Sequence, residues 1–251
     1  MLEIEKKKFI FKTKEIWFCE YPFDVKGYHG VIFRDCKNKT VLEGFACEEF
    51  TTLVIDLTQD LNAILNNMSK SSNCKYRINK AVRDGVKIKR NENYEEFYEI
   101  NNAFKERKGA PLTLVDINFM KKYGTLFTAD INGKIISGQL YLEDENNIRL
   151  LIGASKRLEV NKKESSLISN ANRLIIWEAI KYAKEKGIKE FDQGGYYTGK
   201  EKDEQKERIN MFKKGLGGNL VTHYIYQRSY SKIYEVTKKA FQLISIFKKK
   251  L

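Results

Sequence analysis

Hydrophobic and polar positions alternate most regularly in the part of the chain that begins at residue 86. The segment VKIKR predicts a strand, and apolar residues at helical spacing over 94–107 predict a helix. A shorter helix is expected at about 115–123, followed by three strands, TLFTADI, KIISGQLYLE and NIRLLIGAS. Asn132-Gly133 joins the first two of these strands and is the dipeptide that two-residue hairpin turns prefer. The pattern therefore predicts an antiparallel meander.

A long helix is predicted over about 165–186, because apolar residues recur every three or four positions until Gly187 ends the pattern. The strand IKEFDQGG, a short helix at 206–214 and the strand NLVTHYIYQR follow. Written from residue 86, the order is β-α-α-β-β-β-α-β-α-β, which resembles the core of the GNAT N-acyltransferases. The resemblance implies an α/β (α+β) fold, in which a mixed sheet has an antiparallel meander, a long crossover helix and a parallel splay.

The first 85 residues show a weaker pattern of short strands. FIFKT, EIWFCEY, GYHGVIFRD and VLEGF precede the better strand LVIDL, after which Thr58 is expected to cap a helix. A basic helix at about 74–84 should end at Gly85, a natural position for a left-handed C-cap. We therefore predict three parts: a shortened N-terminal β-α-α half-domain (1–85), a GNAT-like core (86–228) and a basic amphipathic C-terminal helix (229–251).

Net charge narrows the range of partners. The chain has a formal net charge of +13, and the segment Lys70–Arg90 is densely basic with Asp84 as its sole acid. Such a segment attracts phosphate in RNA, in a nucleotide-linked sugar or in an anionic lipid. The solvated helix faces of a lysine-rich protein have the same composition, so both interpretations stay open.

Cysteine and histidine usage bears on metal sites and on location. The cysteines (Cys19, Cys36, Cys47 and Cys74) are scattered and only two histidines exist, so we predict no metal site. We expect free thiols, and we see neither an apolar run that could span a membrane nor an apolar signal core. These features predict a cytoplasmic protein, with peripheral contact at the inner membrane face as an option.

Two stretches carry a more specific resemblance. The segment NCKYRINKA at 73–81, followed by Gly-Val, is similar to a basic motif R-Y-x-I-R-K-A-x-x-x-G-V. The strings WEAI (177–180), FDQGG (191–195) and FKKGLGG (212–218) resemble the signature W-E-A-I … [FY]-D-[FL]-G-G … [FY]-K-x-x-F-G-G. Both motifs are typical of the FemAB-like branch of the GNAT superfamily, the peptidoglycan bridge-forming aminoacyltransferases. The resemblance covers about residues 52–228, although the first half is shortened and has no room for the family's helical arm.

The resemblance implies an enzyme that moves an aminoacyl or acyl group onto an amine of a cell-wall precursor or surface-polysaccharide sugar. The donor, aminoacyl-tRNA or acyl-CoA, would be a co-substrate, with no tightly bound cofactor. Lys213 would stabilise the oxyanion, and Asp192, which ends a strand before Gly-Gly, is suited to orient or deprotonate the amine. The candidate substrate-binding residues are Phe212, Gly194, Gly195, Tyr196, Arg107, Asn172 and Arg173, and the candidate donor-binding residues are Gly153, Ala154, Ser155, Lys156 and Arg157.

Each of these assignments has a structural alternative. Asp192 suits a tight turn that caps the next helix, and Lys213 suits the C-terminal end of a helix dipole. The segment after Lys156 lacks the glycine-rich loop with which CoA-dependent GNAT enzymes hold pyrophosphate, which favours aminoacyl-tRNA. A CoA-dependent sugar N-acyltransferase and a non-catalytic RNA- or membrane-binding protein are the rival functions.

The predicted C-terminal helix also has two interpretations. It places apolar residues on one side and lysines around them, which suits either an anionic membrane surface or the protein's own core. The apolar side holds Ile233, Ala240, Phe241, Ile244 and Phe247.

Overall fold

The computed structural model describes residues 1–70, 73–108, 115–199 and 201–247, and describes only the backbone of residue 239 and of residues 241–247. The chain divides into two compact units, which are described separately: Met1–Thr51 with Thr222–Leu251 form unit 1, and Thr52–Val221 form unit 2. The division of the chain at residues 85 and 228 remains a prediction.

Unit 1 is built on a small mixed sheet. The antiparallel strands β1 and β2 form a hairpin, β2 is parallel to β3, and β3 is antiparallel to β10. Its elements are β1 (Leu2–Lys8), β2 (Phe11–Trp17), β3 (Gly30–Cys36), the first part of β4 (Ala46–Asp56), most of β10 (Asn219–Ser229) and α7 (Lys232–Phe247). The sequence predicted a strand FIFKT, but Phe9 and Ile10 instead form the turn between β1 and β2.

The core of unit 1 contains a disulfide. Cys19 and Cys36 are bonded, so the expectation of free thiols is wrong for this pair, whereas Cys47 and Cys74 are free. The bridge lies among buried side chains that include Phe33 and Tyr226.

Helix α7 lies against the sheet of unit 1 through Tyr234. The Tyr234 ring is 5.3 Å from that of Phe11, whereas Ile233 and Ala240, from the predicted apolar side of the helix, are exposed. The structure does not describe the side chains of Phe241, Ile244 and Phe247.

Unit 2 carries the predicted core fold. Its strand order is β4-β9-β8-β7-β6-β5, with β8 and β9 parallel and the other neighbours antiparallel. Its elements are the end of β4, α1 (Leu61–Lys70), α2 (Cys74–Arg83), β5 (Lys87–Arg90), α3 (Tyr94–Lys108), α4 (Ile117–Tyr123), β6 (Gly124–Ile131), β7 (Lys134–Glu143), β8 (Asn147–Ser155), a 3₁₀ turn (Lys156–Leu158), α5 (Lys162–Glu185), β9 (Glu190–Gly195), α6 (Glu204–Lys214) and the start of β10. The meander β6-β7-β8, the crossover helix α5 and the parallel strand β9 confirm the predicted fold class.

Residues with turn or capping preferences mark the ends of several of these helices and strands. Asn132 and Gly133 both have positive φ, 52° and 79°, as the predicted two-residue hairpin turn requires. Gly85 has φ 85° and ends α2 as expected. The expected cap of α1 is wrong: Asp60, not Thr58, accepts the Ala63 N–H at 2.9 Å.

Membrane-spanning segments need long apolar helices. Among the described residues, we find no helix with the length and hydropathy to cross a bilayer.

Candidate active site

Strands β8 and β9 diverge after a short parallel ladder. They pair only from Asn147 with Glu190 to Arg149 with Asp192, although both strands continue beyond that point. On its other edge, β8 carries a bulge at Leu151, because Leu140 and Tyr141 pair with Ile152 and Leu150. A bulge bends a strand and increases its twist. The bulge therefore accounts for the divergence of β8 from β9 in unit 2, and the space between the two diverging strand ends is called the β8–β9 cleft below.

Asp192 lies buried at the closed end of this cleft. Its carboxylate accepts hydrogen bonds from the Arg149 guanidinium, from the Thr52 hydroxyl and from the Gly194 N–H, the last at 2.6 Å. Donors of this kind stabilise a carboxylate in its charged form, so the geometry suits an orienting role better than proton removal. The bond to Gly194 is the predicted tight turn, but helix α6 is capped by Asp203 rather than by Asp192.

Lys213 stands at the open end of the cleft. It lies in the last turn of α6, half-buried, and its Nζ donates to the Gly195 carbonyl at 2.6 Å. Burial lowers the pKa of Lys213 to about 8; the charge of Asp192 opposes this shift and that of Arg149 adds to it. Within the described part of the chain, no other group accepts a hydrogen bond from Nζ, so this ammonium has donors to offer a ligand.

Gly194 is the point at which β9 turns past Lys213. Its φ is +79°, and a Cβ built there would lie 3.4 Å from the Leu150 carbonyl oxygen and 3.7 Å from Nζ of Lys213. Both distances are ordinary contacts, so it is the left-handed backbone, and not a lack of space, that favours glycine at this position. Gly195 follows, exposed at the mouth of the cleft.

A cluster of three arginines adjoins this centre. Arg173 on α5 is 8% exposed; its Nη1 donates to the Ser169 carbonyl and hydroxyl, at 2.9 and 3.0 Å, while its Nε lacks an acceptor among the described residues. Burial lowers the pKa of Arg173, as do the positive charges of Arg77 on α2 and of Arg157 on the 3₁₀ turn, although Cys74 opposes them.

Among the residues that the structure describes, no acidic side chain neutralises the arginine cluster. Of the described carboxylates, none forms a salt bridge with Arg77, Arg157 or Arg173, and Arg157 Nε donates only to the Ser165 hydroxyl, at 3.2 Å. The Arg173 guanidinium also lies 4.8 Å over the ring of Phe212, the residue before Lys213. Arg173 is buried, whereas Arg77 is half-buried and Arg157 is exposed. A buried cation without a carboxylate is costly, so the position of Arg173 is suited to an anionic ligand.

The other predicted substrate- and donor-binding residues are less well suited to bind a charged ligand. Arg107 pairs with Glu159 at 3.6 Å and Lys156 with Glu96 at 3.6 Å, so local acids already neutralise both cations. The backbone carbonyl of Asn172 accepts a 3.5 Å hydrogen bond from a buried glutamine of β7.

The predicted acyl-binding residues lie on β8 beyond its last contact with β9. Gly153 is exposed, whereas Ala154 and Ser155 are buried and pair with β7. Tyr196, partly exposed, follows the Gly-Gly turn at the mouth of the cleft.

Sequence reasoning missed Arg149 and Thr52. Arg149 is the sole charged residue of the strand NIRLLIGAS, and such a residue within an apolar strand was a usable signal. Thr52 carried no signal, since its contact with Asp192 joins distant parts of the sequence.

Comparison with known proteins supports the fold. No family model and no curated sequence matches the chain. FemX has 15% identity and a TM-score of 0.63, over 96% of this chain and 85% of that one. The C-terminal domain of a putative lysylphosphatidylglycerol synthetase from Agrobacterium fabrum has 12% identity and a TM-score of 0.57, over 85% and 72%. L-PGS from Bacillus licheniformis has 15% identity and a TM-score of 0.52, over 87% and 74%. The fold that the resemblance implied is therefore confirmed, since the chain shares it with FemX.

Proposed function

We propose that the protein is an N-acyltransferase that moves an aminoacyl group from aminoacyl-tRNA to an amine of a cell-wall precursor or surface-polysaccharide sugar. One observation carries the proposal: Lys213, a cation with free donors and a lowered pKa, stands at the open end of the β8–β9 cleft. Such a group is suited to a carbonyl oxygen that gains negative charge during acyl transfer.

The proposed reaction is a direct transfer. The acceptor nitrogen forms a bond to the ester carbonyl carbon, and the carbonyl oxygen becomes an oxyanion beside Lys213. The bond from carbon to the ribose oxygen of the tRNA then breaks, and the departing ribose oxygen takes up the proton that the amine loses. Asp192 holds Arg149 and the Gly194 turn in place, and thereby positions the lysine without touching the reacting atoms.

One feature of unit 2 supports a tRNA donor over acyl-CoA. The three arginines offer a site for phosphate, which either donor would supply, so the difference lies at the start of α5. At the start of α5, Asn161 already accepts the Glu164 N–H at 3.0 Å, and Glu164 places an acid in the first turn. A pyrophosphate bound at that helix N-terminus would compete with this cap and meet a like charge.

A transfer assay with matched variants tests the function. Purified protein is incubated with charged tRNA or acyl-CoA and with amine acceptors: a nucleotide-linked muropeptide and an aminosugar. Phosphatidylglycerol is added to the panel because one similar structure is named as a domain of a putative lysylphosphatidylglycerol synthetase. We expect transfer from charged tRNA to an amine, lost in Lys213→Met and retained in Lys214→Met, since Lys214 is the exposed neighbour on the same helix end.

The outcomes separate the rival functions. Transfer from acyl-CoA alone would favour a CoA-dependent sugar N-acyltransferase. Transfer that survives Lys213→Met would refute the assignment of the site. RNA binding with a steep salt dependence but no turnover with any donor would indicate a non-catalytic protein that keeps this fold.

A second pair of variants tests the arginine cluster and includes a matched control. Arg173→Met should raise the KM for charged tRNA and reduce its salt dependence, because a phosphate contact is lost. Arg83→Met, an exposed arginine at the end of α2, should change neither.

A further inference from the structure

The turn of the β1–β2 hairpin in unit 1 presents two large apolar side chains to solvent. Lys8 pairs with Phe11, so Phe9 and Ile10 form a two-residue loop. Their exposed fractions are 74% and 75%. A two-residue hairpin turn prefers Asn-Gly, Asp-Gly or Gly-X, and Phe9 has a left-handed φ of 53° that β-carbon sterics disfavour. The turn therefore departs from local preference without gaining any burial.

Lysines surround this turn. The segment from Lys6 to Lys14, KKKFIFKTK, contains no acid. Lys7 and Lys12 are directly opposite each other on the two strands, a like-charge pair that destabilises a hairpin. Three of these lysines pair with acids of the same hairpin: Lys6 with Glu15, Lys12 with Glu5 and Lys14 with Glu3. Lys7 has no salt-bridge partner in the described part of the chain.

The hairpin thus breaks two local preferences at one place, the residue preference of its turn and the avoidance of like charges on paired strands. In natural proteins such departures are typical of functional sites. An apolar tip with a basic collar matches an anionic bilayer: the tip enters the boundary between headgroups and acyl chains, and lysines contact the headgroups. Each lysine near such a surface strengthens binding by about fivefold. RNA would satisfy the lysines but not Ile10, which cannot stack on a base.

We propose that the β1–β2 turn, Phe9-Ile10 with its flanking lysines, is a docking tip for an anionic lipid surface. This inference goes beyond the proposed acyl transfer, and its test requires neither donor nor acceptor. It also differs from membrane contact by helix α7, since it rests on the side chains of Phe9 and Ile10, although the neighbouring Phe11 contacts Tyr234 of that helix.

The main experiment exchanges the tip for the residues that the turn prefers. Full-length protein is sedimented with vesicles of phosphatidylcholine containing phosphatidylglycerol, and with phosphatidylcholine alone. The wild type should bind the anionic vesicles and lose binding as salt is added. The double variant Phe9→Asn/Ile10→Gly should bind at least tenfold more weakly while its thermal unfolding midpoint is unchanged or higher, because Asn-Gly suits the turn.

Matched controls separate the tip from general surface changes. Val41→Asn removes an apolar side chain that is 99% exposed in the same unit and should leave binding unchanged. Lys7→Glu should weaken binding to anionic vesicles by more than fivefold, because it reverses a charge beside the tip.

A direct probe of insertion uses the tip itself. Ile10→Trp should show a blue-shifted emission and quenching by brominated lipid, measured against the wild type, which already contains Trp17 and Trp177. The proposal is overturned if the double variant binds like the wild type, if neutral and anionic vesicles bind equally, or if tryptophan at the tip is not quenched. Binding to RNA without binding to vesicles would also overturn it.

Discussion

The lowered pKa of Lys213 makes a specific prediction about the pH dependence of transfer. If its ammonium stabilises the oxyanion, the rate should fall as the lysine loses its proton, with a midpoint near its pKa of about 8. An unperturbed lysine would titrate only near 10.5. The alkaline loss should therefore appear more than two pH units below the usual range.

The expected changes in the transfer rate follow from this pKa. At pH 7 about 90% of the lysine is charged and at pH 9 about 10%, so the rate should fall roughly tenfold over this range and tenfold per further pH unit. Lys213→Met should lower the rate by about 10²–10³-fold, which is typical of the loss of an oxyanion donor. Lys213→Arg keeps the charge at all accessible pH values and should abolish the alkaline loss, even if its rate is lower.

The assay must separate the enzyme from its substrates. Hydroxylamine is a suitable acceptor because it stays uncharged across the relevant range, and the uncatalysed reactions of the ester with water and with hydroxylamine are subtracted at each pH. A rate that rises through pH 8 would refute the oxyanion role and indicate that neutral Lys213 accepts a proton. An equal alkaline loss in the wild type and in Lys213→Arg would show that another group titrates.

Stability gives an independent reading of the same pKa. The unfolded lysine keeps its proton up to about pH 10.5, whereas the folded one loses it near 8, so between these values the unfolded state binds more protons. The lysine therefore opposes folding below about pH 8, and the penalty fades as the pH rises. Lys213→Met should stabilise the protein by about 1–3 kcal/mol at pH 7 and by little at pH 10. A variant that is inactive yet more stable would separate function from folding.

Three further predictions concern unit 2. Gly194→Ala should lower activity more than Gly133→Ala, because both glycines have φ +79° and share the backbone strain of about 1–2 kcal/mol, but only the turn at Gly194 adjoins Lys213; equal losses in turnover would contradict a role of the Gly194 turn in placing Lys213. Arg149→Met should cost about 3–5 kcal/mol in urea denaturation by stranding the Asp192 carboxylate, and adding Asp192→Asn should recover much of it; additive losses would argue against coupling. Asn161→Ala should cost about 1 kcal/mol through the lost cap of α5, and an unchanged midpoint would show that the cap contributes nothing.

The parts of the fold that follow from local chemistry were predictable. The hairpin at Asn132-Gly133 and the end of α2 at Gly85 require positive φ, which these residues supply cheaply. The long helix begins at Lys162, slightly before the predicted start, since Asn161 and Glu164 form a cap that the sequence already contained. Strand β1 was missed because a turn of Phe9-Ile10 contradicts every turn preference.

The candidate site was predictable only in part, because its contacts are long-range. Asp192 and Lys213 stood in recognisable motifs, but their partners Thr52 and Arg149 come from strands far away in sequence. The side-chain period of a strand indicates which face a residue occupies, but it does not indicate which strand lies beside it. The arginine cluster was hidden for the same reason, since Arg77 reaches Arg173 only when α2 lies against α5.

The charges of unit 2 form a consistent argument for a negatively charged ligand. The carboxylate of Asp192 is bonded to Arg149, which leaves Lys213 and Arg173 in partly dehydrated positions where burial lowers the pKa of both. Each of these cations opposes folding, and an apolar side chain of similar size would stabilise the same position. Stability alone therefore does not explain why Lys213 and Arg173 occupy these positions. A phosphate at the arginines and an oxyanion at the lysine would each restore the lost charge compensation, and a donor that carries phosphate and an activated acyl group, such as the aminoacyl-tRNA proposed above, would supply both.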